Sequence, residues 1–222
     1  MATRIFLIRH GATVLSAEDR FAGSTDVELS DEGREQARCL AARLAEQPLA
    51  AVYTSPLRRT VETATIVATA CRHPPIREPG LREIDHGHWE GLTRKEVERR
   101  FPDEYGAWEE DPFTFAPSGG EPGLAVMARA LPVLRAIVLR HPGESVAVVS
   151  HKATIRLALS SLLGIDARGY RDRLDQAPAC LNVLDFKDAV RARLMLYNDT
   201  SHYASHPRSP HGALSKWWDP PP

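Results

Sequence analysis

Cysteine is scarce in this chain. Cys39, Cys71 and Cys180 are the only three in 222 residues. Their number is odd, their spacings are wide and no C-x-x-C occurs, which argues against a disulfide framework and against a thiolate zinc site. Long hydrophobic runs are missing too, so no membrane-spanning helix is expected. The opening "MATRIFLIRHG" carries Arg4 and Arg9 around a short apolar run in place of a signal-peptide core. Neither sign of charge dominates: 28 Lys and Arg face 29 Asp and Glu, for a formal net charge of −1. A global pull toward nucleic acid or a membrane surface is thereby excluded, and any anion binding must be local. H-E-x-x-H and the nucleotide signature G-x-x-x-x-G-K-[ST] are absent, and His86 and His88 stand two apart without a clear carboxylate set. No metal, cofactor, nucleic-acid or membrane partner is expected, and the cytoplasm is the expected compartment.

What is present has ordinary globular composition, 43% hydrophobic and 26% charged. Residues 3–9 form a short apolar run, read as a fully buried strand. "LSDEGREQARCLAARLAEQP" reads as an amphipathic helix, with Ser30 as N-cap and Ala37, Leu40, Ala41 and Leu44 on one face. "LAAVYTS" is a second buried strand, and "PLRRTVETATIVATA" a helix with Pro56 at its first position. Residues 72–90 read as irregular. Thr93 and Glu96 have capping-box spacing, and "DPFTFAPSGGEPG" is a long loop. A helix follows over about 123–141, with a kink or break expected at Pro132. "ESVAVVSH" is a third buried strand, "ATIRLALSSLLG" a helix closed by Gly164, and "CLNVLDFKD" with "VRARLMLYN" a hairpin whose "KDAV" connection carries no strong turn signal.

Strands alternating with helices predict an α/β fold: three α/β/α layers around a mainly parallel sheet. A segment over about 81–123 is expected to be inserted across the carboxyl ends of the strands. Residues 1–202 read as one domain. The tail 203–222, rich in Pro and Ser, carries Trp217 and Trp218, which suit docking on the body or, alternatively, a lid or dimer contact.

The unusual residues fall at strand ends, where open α/β sheets bind ligands. Arg9 and His10 end the first strand, Ser55 follows the second, and Ser150 and His151 end the third. Arg58 and Arg59 start one helix and Lys152 another. Two cationic groups side by side need something anionic between them, and a phosphate monoester suits such a cluster. Gly11 would let a ligand approach the backbone. A neutral imidazole can attack phosphorus, and His10 is the candidate, held neutral by the neighbouring cations. Glu83, in "LREIDHGHWEG", is the candidate proton donor, with Glu90 as a rival and Asp85 nearby.

"LIRHGAT", "RFAGSTDVELSDEGREQA", "TSPLRRTVETA", "LREIDHGHWEG", "SGGE" and "VSHKATIR" together resemble the histidine phosphatase superfamily, also called phosphoglycerate mutase-like, over roughly residues 4–165. The resemblance implies that His10 is transiently phosphorylated and that Arg9 and Arg59 bind phosphate. It likewise implies that Glu83 is the acid and base, and that His151 steadies the transferred group. It implies no metal or organic cofactor. It places Thr13, Ser16, Ala22 and Gly23 near the phosphate, with Ser16 standing where many relatives have Asn and Ala12 where many have Glu. Lys152 departs from the usual small residue and could meet a second anionic group of the substrate; its other reading is a solvated or paired lysine. His86 lies in an E-I-D-H-G-x-W stretch similar to that of metal-independent phosphoserine phosphatases, which implies pocket lining; otherwise it is a surface imidazole. Arg58 reads as a solvated helix residue. The expected activity is metal-independent hydrolysis of a small phosphorylated metabolite by a possible homodimer. Alternatives are mutase-type phosphoryl transfer, disfavoured by the short acidic 92–118 segment, or a non-catalytic phospho-ligand binder.

Overall fold

The computed structural model describes residues 2–17, 20–71 and 74–204. β1 (Thr3–Arg9) is buried along its length except at Arg4, as its unbroken apolar run requires. After it come a short helix, α1 (Val14–Ala17), and α2 (Asp31–Leu44), whose first turn is capped by Ser30 accepting from the Gly33 amide. β2 (Leu49–Thr54) and α3 (Arg58–Val67) follow. The helix starts two residues later than Pro56 suggested, because Ser55, Pro56 and Leu57 make the turn out of the strand and Leu57 becomes the N-cap. A two-residue strand, β3 (Ile76–Arg77), interrupts the segment expected to be irregular.

Two short helices, α4 (Arg94–Arg100) and α5 (Pro102–Glu110), occupy the inserted segment, and the Thr93–Glu96 capping box opens the first. α6 (Gly123–Arg140) runs through Pro132 as one continuous helix, so of the expected kink or break the break is absent. β4 (Ser145–Ser150), α7 (Lys152–Leu163), α8 (Tyr170–Arg173) and the pair β5 (Leu181–Phe186) and β6 (Ala192–Asp199) complete the described chain.

One sheet gathers all six strands in the order β3-β2-β4-β1-β5-β6. The β3-β2, β2-β4 and β4-β1 pairs are parallel; β5 is antiparallel to both its neighbours. Side chains alternate across β1. Ile5 and Leu7 pack with Val146, Val148, Ile137 and Ile155 beneath α6 and α7. Phe6 and Ile8 pack with Ala147, Val149, Leu40 and Val67 beneath α2 and α3. Each such fully buried side chain stabilises the fold by about 1.5–3 kcal/mol relative to exposure. The result is the α/β/α sandwich.

A third cluster sits apart from the sheet. Phe21, Trp89, Val97, Tyr105 and Trp108 are all buried, and they tie α4 and α5 to the segments bearing Phe21 and His86.

Candidate active site

Register decides what meets at the sheet's edge. Arg9 lies opposite Ser150 in the β1–β4 ladder, and Thr54 lies opposite Val149 in the β2–β4 ladder. The next residues, His10 and His151, therefore leave adjacent strands at one level, and Ser55 leaves the third strand one residue behind them, level with Ser150. The rings of His10 and His151 are 5.1 Å apart, centroid to centroid, with their planes at 63°.

His10 Nδ1 lies 2.7 Å from the Gly11 carbonyl oxygen. A carbonyl only accepts, so Nδ1 carries the proton and Nε2 keeps its lone pair. Burial pushes the His10 pKa well below its ordinary value, and Arg59 and Arg9 add to the shift. The expected neutrality of His10 is present, but desolvation is its main cause and the cations come second. His151 is depressed in the same way, by burial first and then by Arg59 and His10. Its Nε2 shares a 2.8 Å hydrogen bond with Ser55 Oγ, while its buried Nδ1 has no partner.

The two arginines are buried and are held by main-chain carbonyls. Arg9 Nη1 donates to the Gln176 carbonyl at 2.5 Å, and its buried Nε has no partner. Arg59 Nη1 and Nη2 donate to the Thr25 and Gly23 carbonyls, each at 2.7 Å. Among the described residues no carboxylate hydrogen-bonds to either, and burial lowers the pKa of both. Both guanidiniums are thus oriented by carbonyls, with no contacting anion among the described residues, a state that favours anion binding. Arg58 is separate: it is exposed and pairs with Glu28.

Glu83 is buried at the N-terminus of α7. Its Oε1 accepts from the Thr154 amide at 3.2 Å and lies 3.2 Å from the Thr154 hydroxyl oxygen, and its Oε2 accepts from the Ala153 amide at 3.2 Å. The carboxyl group is therefore fixed within the first turn that follows His151. Glu90, the rival, is engaged elsewhere. Its oxygens accept from the Ser24 amide (2.6 Å), the Ser24 hydroxyl (3.0 Å) and the Thr25 amide (2.8 Å). Glu90 thus shapes the 22–25 loop whose carbonyls hold Arg59. Gly23 has φ +42°, and a Cβ there would lie 2.1 Å from Glu90 Oε1.

Several other expectations meet a different geometry. Gly11 is a glycine because of α2: a Cβ would lie 2.3 Å from the Gly33 carbonyl oxygen. The close approach seen at Gly11 is to the backbone of α2. Thr13 is buried and bridges Leu29, and Ala12 is buried. Ala22 accepts from the Thr25 amide at 2.9 Å inside the loop. The side chain of Ser16 lies outside the described residues, as do Trp217 and Trp218. His86 is not a surface imidazole: it is buried edge-on to Phe21, at 4.9 Å, and burial lowers its pKa. Lys152 Nζ lies 3.7 Å from Asp175 Oδ1, to which Arg156 Nη2 donates at 3.1 Å. Gln176, which orients Arg9, escaped sequence reasoning because it acts through its main-chain carbonyl. Among the described residues, no three His, Cys, Asp or Glu side chains form a metal-ligand set.

An α/β/α sandwich whose strand ends present two buried imidazoles and two buried arginines is the architecture of a phosphoric monoester hydrolase. Residues 5–200 match the histidine phosphatase superfamily, branch 1, and the chain belongs to that family. It is 36% identical over 163 residues to phosphoserine phosphatase 1 of Hydrogenobacter thermophilus, covering 73% of this chain and 77% of that one. Two longer relatives are spanned over only 38% and 55% of their length. Among solved structures, Bacillus stearothermophilus YhfR superposes with a TM-score of 0.84 at 32% identity, covering 90% of this chain and 99% of that one. Mycobacterial glucosyl-3-phosphoglycerate phosphatase Rv2419c superposes with a TM-score of 0.80 at 29% identity, covering 89% and 99%. The chain is a phosphatase of small phosphorylated substrates. No helix among its described residues is long and apolar enough to cross a membrane.

Proposed function

We propose that the chain hydrolyses its substrate without a metal, through a phosphohistidine on His10. The observation that carries this reading is the Nδ1–H···O contact to Gly11, which leaves a neutral, buried Nε2 in the presence of two buried arginines. His10 Nε2 attacks phosphorus as the P–O ester bond breaks, and protonated Glu83 gives its proton to the leaving oxygen. Arg9, Arg59 and His151 hold the other phosphoryl oxygens, so positioning and charge stabilisation supply most of the acceleration. Water then attacks phospho-His10, gives a proton to Glu83 and releases inorganic phosphate. Residues 1–202 act as one catalytic domain in this reading.

The same reading extends to the rest of the substrate. Lys152 follows His151 directly, and Arg156 lies one helical turn further on. Their shared partner, Asp175, precedes the residue whose carbonyl holds Arg9. This basic corner beside the phosphate site suits a carboxylate on the substrate. Relatives named for phosphoserine and glucosyl-3-phosphoglycerate, both esters that carry one, support it. His86 lines the pocket against Phe21. The three cysteines, none of them paired, suit the cytoplasm, and a homodimer completes the reading.

The test is phosphate release across a panel of phosphomonoesters, with mutase turnover followed in parallel. Hydrolysis of carboxylate-bearing esters that is lost in His10→Ala supports the reading. Substantial hydrolysis by His10→Ala, or activity abolished by EDTA and restored by Mg²⁺, defeats it.

A further inference from the structure

Glu83 lies in a stretch, residues 82–86, without helix or strand. Such backbone must find partners for its polar groups outside any ladder. One side chain on α6 serves the carbonyls on both sides of the Arg82–Glu83 bond and that of Gly80. Arg129 Nη1 donates to the Gly80 and Arg82 carbonyls, at 2.9 and 2.7 Å. Its Nη2 donates to the carbonyl of Glu83 itself at 2.9 Å. Nε and Nη2 also reach the two carboxylate oxygens of Glu121, at 3.1 and 2.5 Å. A guanidinium has five N–H donors, and all five are engaged.

Glu121 extends the clamp to the far side of Glu83. Its Oε1 accepts from the Asp85 amide at 3.3 Å, and its own amide donates to the Asp85 carbonyl at 2.9 Å. Ser150 Oγ donates to the Leu81 carbonyl at 2.7 Å and Thr154 Oγ1 to the Arg82 carbonyl at 2.8 Å. The backbone on both sides of Glu83 is therefore pinned between α6, the residue that ends the "SGGE" turn, and the start of α7. From that backbone its carboxyl group reaches the amides of Ala153 and Thr154.

We infer that Arg129, locked by Glu121, is a positioning residue for the proton transfer by Glu83. This rests on the reading of Glu83 as the general acid. With every donor used, Arg129 has none left for a ligand, and its contacts are to the 80–85 backbone and Glu121. Lysine cannot replace it, because a single ammonium does not span three carbonyls and a carboxylate.

A misplaced acid slows one class of substrate selectively. Phenolate is a poor leaving group and needs the proton; p-nitrophenolate leaves with little help. The comparison uses kcat/KM, which covers the steps through P–O cleavage and leaves out hydrolysis of the phosphoenzyme. In the purified full chain, Arg129→Lys and Arg129→Ala should each lower kcat/KM for phenyl phosphate by about 100-fold, with a loss of less than about threefold for p-nitrophenyl phosphate. Glu121→Gln should show the same split in smaller measure. Equal losses on the two esters, as a merely loosened fold produces, overturn the inference. If the Arg129 variants give no cooperative melt, Glu121→Gln decides by the same criterion. Glu83→Gln is the reference. A split there without one in the clamp variants contradicts this inference alone, whereas no split in Glu83→Gln sinks the acid reading and the inference with it.

Discussion

His10 and His151 stand edge to face, 5.1 Å apart, because the residues before them, Arg9 and Ser150, are paired in adjacent parallel strands. Two imidazoles this close would repel if both were charged. Burial keeps both pKa values well below the ordinary value near 6.5.

That depression has a sign that can be measured. Each histidine is neutral in the folded protein at pH values where the unfolded chain would bind a proton. Each therefore contributes its full stability above about pH 6.5, and that contribution is lost as pH falls from there toward the lowered folded value. In ¹H–¹³C spectra the His10 and His151 ring signals should show no midpoint at or above pH 6.5. A midpoint there for either ring contradicts the account. The wild-type melting temperature should also fall more steeply below pH 6.5 than that of His10→Asn.

Among the described residues, Ser55 is the one hydrogen-bond partner of the His151 ring, at 2.8 Å. Ser55→Ala removes it and leaves a buried nitrogen unsatisfied, at a cost of about 1–2 kcal/mol. If that orientation serves phosphoryl transfer, kcat/KM should fall roughly 5- to 30-fold, with saturation by phosphate weakened alongside. An unchanged kcat/KM in a folded variant would show that the ring is held by packing alone.

Gly11 is set against Gly33 of α2 so closely that an added Cβ would lie 2.3 Å from its carbonyl oxygen. Gly11→Ala should therefore overpack the joint between β1 and α2 and lower stability by about 1–3 kcal/mol in urea titration. A wild-type midpoint would show that the two segments part freely.

Lys152 tests the substrate half of the account. O-Phosphoserine and phosphoethanolamine differ by one carboxylate. Lys152→Met should raise KM for phosphoserine about tenfold, the loss of one ionic hydrogen bond, and leave phosphoethanolamine within about twofold. Equal changes for both esters would remove the carboxylate from Lys152's role.

Much of this architecture was legible in the chain. The short, β-branched apolar runs of β1, β2 and β4 read as buried strands, and the Ser30 and Thr93 caps declare their helices by side chains that satisfy end amides. Arg9, His10 and His151 stood out because charge at the end of a buried run is costly without a purpose, whereas Arg59 at a helix start and Glu83 in an irregular stretch stood out by the motifs around them. The rest was hidden for physical reasons. β3 is two exposed residues long, too short to carry a periodicity. The turn between β5 and β6 depends on Asp188, whose Oδ1 accepts from the Val190 and Arg191 amides, in a connection without glycine. Gln176 grips Arg9 through its backbone, which has no residue signature. Arg129 looks like any arginine on an amphipathic helix until the fold brings residues 80–85 against it.

The central claim is a covalent phosphoryl group on His10, and rapid quenching under alkaline conditions measures it most directly. Wild-type enzyme mixed with ³²P-labelled substrate should yield an alkali-stable, acid-labile label, formed as fast as turnover requires, that maps to the peptide holding His10 and is missing from His10→Ala. Label on another residue, or full turnover with no labelled protein at any time, would contradict the account.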